Sequence, residues 1–527
     1  MTGKGYLAIV LHAHLPYVRH PEYEDSLEEN WLYEAITGTY VPLLLILESL
    51  IEEDVDYRLT LSLTPTLTTM LSDPFLQSRY LRRLERLIEL AEKEIRRTGP
   101  WPQFHRLAHF YGQRFQRIHD AFTKRYRKNL VQAFRGLQEC GRVELIASAA
   151  THGYLPLLSI NASSVRAQIK VGLDHYEDLF GQRSKGFWLP ECSFSPGLDG
   201  VLADFGVRYT IVETHGVTRS DSRARYGVYA PISCPTGVAA FGRDPECSKQ
   251  VWSSMDGYPG DFDYREFYRD IAYDLELNYI KPYIHRDGIR IDTGMKYYRI
   301  TGKGDHKEVY VLERAEHKAE IHAGDFLSNR IKQVESLASV MDRKPLIVAP
   351  YDAELFGHWW FEGPLWLNDL IRKTALEQET IRLITLSEYL EEYPANQIAE
   401  PCPSSWGYKG FNEVWLSGKN DWIYPHLHQA AALMERLARS HPQAQGLLER
   451  ALNQAARELL LAQASDWAFM MNNGAMAEYA TRRTKTHLLR LHRLHDEIEC
   501  RAIDEKWLTN VESLDNIFPR IDYHSFS

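Results

Sequence analysis

Seven short apolar runs, each breaking off into polar or aromatic residues, constrain this chain more than any other feature. Four of them are Tyr6–Leu11 before His12-Ala13-His14, Arg58–Leu63 before Thr64-Pro65, Val143–Ser148 before Thr151-His152, and Gly186–Leu189 before Pro190-Glu191. The others are Val207–Val212 before Glu213-Thr214-His215, Pro345–Ala349 before Pro350-Tyr351-Asp352, and Arg382–Thr385 before Ser387-Glu388. Apolar, β-prone residues at consecutive positions suit strands covered on both faces, as in a parallel sheet. Barrels and open α/β enzymes build their sites at the C-terminal ends of such strands, where the polar clusters stand here.

The segments between the runs set the organisation. Leu76–Gly141 is rich in Arg, Leu, Glu and Gln and is broken by Gly99-Pro100-Trp101-Pro102. It is too long for one crossover and reads as a helical excursion with a hairpin at the Gly-Pro. Residues 216–323 are dense in Gly, Tyr, Asp and Arg, and loops of such length in a compact enzyme usually cover a site. Beyond Pro401, Leu427–Ser440, Ala444–Ser465 and Thr481–Glu497 carry apolar residues at helical spacing. The expectation is an α/β chain: residues 1–75 as the first part of a barrel, 76–141 as an inserted helical subdomain, 142–400 as the second part with long active-site loops at 216–323, and 401–527 as a C-terminal helical domain.

Charge and cysteine usage narrow the partners. The 71 acidic residues against 61 basic ones argue against a nucleic acid as the main partner. Cys140, Cys192, Cys234, Cys247, Cys402 and Cys500 form no C-x-x-C pair and read as free thiols of a reducing compartment. The apolar run in Met1–Tyr17 is interrupted by His12 and His14, and the stretch Val41–Leu47 stops at Glu48, so neither reads as a secretory signal or a membrane span. Cytoplasmic is the expected location. The 12 Trp and 30 Tyr suit sugar binding, since pyranose C–H faces lie on aromatic rings while hydroxyls reach polar edges; the alternative is packing.

Three segments could carry chemistry. His12 and His14 are two apart on a strand and share a face; with His152 or His215 they could grip a metal, as in a zinc hydrolase, or bond sugar hydroxyls. Glu191, in Trp188-Leu189-Pro190-Glu191-Cys192, follows an apolar run beside Trp and Pro. Asp352, in Tyr351-Asp352-Ala353-Glu354-Leu355-Phe356-Gly357-His358-Trp359-Trp360, again follows a strand and is crowded by aromatics. Two carboxylates from different strand ends in an aromatic cleft are what glycoside chemistry needs. Glu354 and Glu362 read as solvated or structural helix acids, Glu213 and His215 as groups behind the site, and Trp422 and Trp507 as packing.

These segments, in this order, closely resemble the characteristic regions of glycoside hydrolase family 57. Glu144–Leu158, with Ala150-Thr151-His152-Gly153-Tyr154, is similar to that family's second region, and Ser465-Asp466-Trp467 to its fifth. Glu29–Glu34, Tyr226–Pro231, Gly257–Asp270, Ser405-Trp406-Gly407 and Val414-Trp415 carry the likeness toward those members that branch 1,4-α-glucans. The resemblance implies a (β/α)7 barrel with an inserted helical subdomain and a C-terminal all-helical domain. It also implies Glu191 as nucleophile, Asp352 as general acid/base, and no cofactor or catalytic metal.

Other roles follow from the same likeness. His12, His14 and His152 would line the subsite of the reacting glucose, and Arg265 would orient a carboxylate. Trp31, Trp359, Trp406, Trp415, Asp466 and Trp467 would border the glucan groove, and Tyr226 or Tyr229 would sit on a loop favouring transfer over hydrolysis. The implied partner is an α-1,4-glucan such as amylose or a glycogen-like polymer, with neither nucleic acid nor membrane. Transfer to a 6-hydroxyl makes an α-1,6 branch, whereas capture by water gives an α-amylase and capture by a 4-hydroxyl a 4-α-glucanotransferase. A zinc deacetylase or mannosidase using His12, His14 and His152 is the remote alternative. Retention through a covalent intermediate requires the two carboxyl groups to face each other across about 5 to 5.5 Å.

Overall fold

The computed structural model describes residues 3–252, 257–302, 304 and 306–527, so positions 253–256, 303 and 305 of the expected loop region lie outside the described residues. Among the described residues ten strands are formed. They are β1 (Gly5–Ala13), β2 (Leu59–Leu63), β3 (Val143–Ser148), β4 (Gly186–Trp188), β5 (Tyr209–Val212), β6 (Ile232–Ser233), β7 (Ala239–Gly242), β8 (Leu346–Asp352), β9 (Ile381–Leu383) and β10 (Gln397–Ile398). All seven apolar runs are strands. Their order, β10-β6-β7-β5-β4-β3-β2-β1-β8 with β9 on β1, curls the sheet around a central core.

Seven strands make the wall, from β7 through β5, β4, β3, β2 and β1 to β8, each parallel to the next. The wall is drawn shut by isolated backbone bonds: Asp244 N–H donates to Val348 O at 2.9 Å and Leu346 N–H to Tyr229 O at 2.9 Å. The position beside β5 belongs to Ala239–Gly242, a four-residue strand inside the Gly- and Tyr-rich region, while β9 pairs only with the first residues of β1.

Side-chain alternation explains what each strand end presents. Along β1, Tyr6, Ala8 and Val10 pack inside the barrel with Leu346 and Val348 of β8, whereas Leu7, Ile9 and Leu11 face the surrounding helices. Continuing the period of two puts His12 and Asp352 on the interior face, and they are register partners. The C-terminal end of the barrel therefore opens onto imidazole and carboxylate where its lower layers are apolar.

Helices complete the molecule. Pro74–Thr98 and Pro102–Asp120 pack as a hairpin at the Gly-Pro break, the first capped by Asp73 accepting from the Phe75 and Leu76 N–H groups. The helical stretch Glu29–Glu52 is long and apolar enough to cross a bilayer, yet Leu32, Ile36, Leu43, Leu44, Leu47 and Leu50 are buried in the core. The C-terminal helices Ile423–Ser440, Leu447–Ala462, Ser465–Asn473, Ala477–Glu499 and Glu505–Leu514 pack on one another and reach the barrel's upper rim. Ser465 N–H donates to His152 O at 3.0 Å, and Trp406 N–H donates to Glu191 O at 3.0 Å. The tail is thus tied directly to two strand-end turns.

Candidate active site

Two of the strand-end residues hold left-handed backbone angles: φ is 62° at Glu191 and 56° at His152. Such angles cost a non-glycine residue about 1–3 kcal/mol and persist only where surrounding contacts enforce them. At Glu191 those contacts are visible. Trp406 Nε1–H donates to Oε2 at 2.8 Å and Ser465 Oγ–H to Oε1 at 2.9 Å, while the main-chain oxygen is held by Trp406. Burial raises the Glu191 pKa, with Asp466 adding to it, but the two hydrogen bonds and the nearby His14 favour its ionised form.

Asp352 is placed differently. Among the described residues no hydrogen bond reaches its carboxylate. Burial, then Glu354, then Glu191 drive its pKa well above the usual aspartate range, against Arg243. The two acids differ in the sense that acid/base work needs, one supported as an anion and the other kept protonated.

The three histidines stack into one cluster. His12 Nε2 meets His152 Nε2 at 3.0 Å, and the His14 and His152 rings lie 3.9 Å apart. His14 Nε2–H donates to Asp466 at 3.0 Å. Burial pushes His12 and His152 well below the ordinary imidazole range. Burial also opposes charge on His14, but Asp466, with Glu191 and Glu354 behind it, raises its pKa.

His14, His152 and Asp466 offer donor atoms within 4.8 Å of one another, the spacing of a metal triad. All six ring nitrogens of His12, His14 and His152 nevertheless have hydrogen-bond partners, the others being Ser62, Thr64 and Ser465. The geometry is that of a proton-linked network whose lone pairs are already engaged.

A cleft of about 940 Å³ gathers these groups. His12, His14, His152, Glu191 and Asp352 form its floor, while Trp31, Trp359, Trp406, Trp415 and Asp466 line its sides. Four residues expected at the site lie elsewhere. Trp467 is wholly buried, its Nε1–H donating to Leu461 O, and is a core residue. Arg265 faces a neighbouring cavity, and the carboxylate near it, Glu362, accepts its main-chain N–H rather than its guanidinium. Tyr226 hydrogen-bonds Asp342, and Tyr229 O receives Leu346 N–H at the start of β8, six residues and about 20 Å of strand below Asp352. Both tyrosines belong to the opposite end of the barrel.

Comparison with known proteins places the chain in a family. Residues 8–323 match the model of glycosyl hydrolase family 57. The chain belongs to that family. Residues 426–526 match a second model, described as 1,4-alpha-glucan branching enzyme, C-terminal. A 1,4-alpha-glucan branching enzyme of Thermococcus kodakarensis is 34% identical over 98% of this chain and 77% of its own length. Among solved structures, a family 57 branching enzyme of Pyrococcus horikoshii is 34% identical, covering 99% of this chain and 97% of that one, with a TM-score of 0.89. A protein described as a novel alpha-amylase of Thermotoga maritima is 45% identical over 99% of each chain, with a TM-score of 0.93.

Within this family 57 cleft, Glu354 is the residue that sequence reasoning most undervalued. It is neither solvated nor on a long helix. It lines the cleft, accepts from His14 N–H at 3.1 Å and from the Tyr40 hydroxyl, and burial pushes its pKa up to about 7. Glu362 is likewise buried, bonded to Tyr310, and structural. Arg243, another cleft residue, is held by Glu213 at 3.1 Å, which gives Glu213 its place behind the site.

Glu354→Gln keeps the hydrogen-bond acceptor but removes a negative charge that raises Asp352. The alkaline limb of the pH profile of kcat/KM on amylose is expected to move to lower pH, and an unmoved limb would show the two acids to be uncoupled. For Trp467→Ala the expected effect is on stability, about 3–5 kcal/mol lost in denaturant unfolding with the KM for glucan unchanged.

Proposed function

We propose that this chain cuts an internal α-1,4 linkage of a linear glucan and transfers the released segment to a glucose 6-hydroxyl, making α-1,6 branches with retention. The observation that carries the chemistry is the unequal support of the two cleft carboxylates. Glu191 attacks C1 while Asp352 gives its proton to the departing O4, leaving a glycosyl ester. Asp352, now a carboxylate, takes the proton of the incoming 6-hydroxyl, whose oxygen displaces Glu191 from C1. His14, with a raised pKa, favours the anionic form of Glu191 before attack and after its release.

The glucan substrate and the transfer outcome are supported by the relatives named as branching enzymes and by the C-terminal match. Exposed aromatics at the cleft mouth, Trp359, Tyr408 and Phe469, offer platforms for a second chain. The second reading is hydrolysis of the same linkage, favoured by the 45% identity to the Thermotoga maritima protein. It gains weight because Tyr226 and Tyr229 do not reach the cleft. The carboxylate chemistry is common to both, so the acceptor decides.

Linkage analysis of amylose after incubation tests the proposal. New α-1,6 linkages with few new reducing ends are expected, and reducing sugar released in proportion to lost iodine staining would establish hydrolysis instead. The six cysteines are unpaired thiols, which supports a reducing, cytoplasmic setting.

A further inference from the structure

A second cavity of about 70 Å³ adjoins the cleft, with Glu34, Phe267 and His358 lining both. It lies where helices Pro74–Thr98 and Pro102–Asp120 meet the 257–302 loop and the turn after β8. By the space a water needs, it has room for roughly five to seven small atoms. A neutral glucan gives no reason for its charge. Four cations line it: Arg83, Arg114, Arg265 and Lys296.

Two of the four are accounted for. Lys296 pairs with Asp292 at 2.7 Å, and Arg83 is bound by the carbonyls of Tyr283 and Asp292. Arg265 donates through Nη1 to Gly294 O at 3.0 Å and to the Tyr111 hydroxyl at 3.3 Å, but neither it nor Arg114 is matched by an anion. Arg114 and Arg265 both stack on Phe361, their guanidinium carbons 4.7 and 3.8 Å from its ring centre. Among the described residues neither has a carboxylate within salt-bridge distance, Arg114 makes no hydrogen bond, and Arg265 Nε is buried without a partner. Burial and the like charge of Arg265 lower the Arg114 pKa to about 10. The acid on the shared wall, Glu34, has its pKa pushed up to about 8, first by burial and then by Asp292, and so opposes an anion little at neutral pH.

Two guanidiniums brought together from a helix and a distant loop repel each other unless an anion lies between them, and their planar forks suit tetrahedral oxyanions. We propose that this chamber binds a phosphate group, gripped by Arg114 and Arg265, with Arg83 and Lys296 supplying the surrounding positive potential. The chamber holds the phosphate alone: the ligand is free phosphate, or a sugar ester whose ring projects past the shared wall into the adjoining cleft. The inference does not depend on whether the cleft transfers or hydrolyses.

Titration calorimetry of the full chain at constant ionic strength, with inorganic phosphate and separately with glucose 6-phosphate, tests it. Saturable binding of one phosphate per chain is expected, weakened at least tenfold by Arg114→Gln. Equal affinity for both probes assigns the free anion, and a tenfold preference for glucose 6-phosphate assigns the sugar ester. Absence of saturable binding to the parent chain, or equal affinity in Arg114→Gln, overturns the proposal. Phenylglyoxal labelling of the parent, read by peptide mass spectrometry, requires no variant to fold. Saturating probe is expected to slow modification of Arg114 and Arg265 tenfold, and unchanged labelling counts against the site.

Discussion

Glu191→Gly is expected to abolish turnover on amylose, by on the order of 10⁴-fold or more, while leaving the protein as stable as its parent or slightly more so. The two halves of this expectation have separate causes. Without the carboxylate no glycosyl ester forms, and the remaining groups can only orient substrate and protonate it. Stability is preserved because the backbone at this position has φ of 62°. Glycine takes that angle freely, so relief of about 1–3 kcal/mol of strain offsets its greater entropy in the unfolded chain. The donors left by the carboxylate, Trp406 Nε1–H and Ser465 Oγ–H, face a cleft wide enough for water.

Glu191→Gln, which retains an acceptor and the strained backbone, is expected to lose as much activity without the gain in stability. Azide added to the glycine variant should enter the vacated space on the face of the sugar opposite the leaving group and yield a β-glycosyl azide. Activity within tenfold of the parent in either variant would remove Glu191 from the nucleophile's role.

Residues on β1 and β8 were legible in the sequence because a strand's period of two leaves no freedom: once Tyr6, Ala8 and Val10 face inward, so does His12, and Asp352 follows on its neighbour. Helical and loop positions carry no comparable constraint. Asp466 and Trp467 are adjacent on helix Ser465–Asn473, so their side chains diverge by about 100°, and only one can face the cleft. Asp466 does, and Trp467 turns into the core.

The error at Tyr226 and Tyr229 has a topological cause. The four-residue strand β7 is too short to stand out in the sequence, and the region around it reads as one continuous loop over the site. Because β7 is parallel to β5, the chain must return to the bottom of the barrel before it begins. Both tyrosines lie on that return path. Glu354 escapes recognition because an acid two residues past Asp352 looks like the first turn of a helix, whereas Ala353–Leu355 is a single tight turn that points it back to His14 and Tyr40.

Asp352→Asn should reveal the other carboxylate through pH and leaving group rather than through magnitude alone. The loss on amylose is expected to be about 10²–10⁴-fold, the usual contribution of a positioned acid/base. An α-maltosyl fluoride, whose leaving group needs no proton, should recover most of the first step in this variant and none of it in Glu191→Gln. In the parent, kcat/KM should rise with pH as Glu191 ionises, above its ordinary 4.5, and fall again as Asp352 loses the proton that its unbonded, buried carboxyl retains. The amide should erase the falling limb and keep the rising one.

Stability should report the same group with a definite sign. Between the unfolded value near 3.8 and its raised folded value, Asp352 binds more protons in the native state than in the unfolded chain, so its contribution to folding diminishes as pH increases across that window. The amide of the Asp352→Asn variant has no such titration. The difference in unfolding free energy, variant minus parent, should therefore grow in favour of the variant as pH is raised above about 4. A difference that stays flat would mean that Asp352 is already ionised in the native cleft, leaving the departing oxygen without a donor and the transfer mechanism without its first proton.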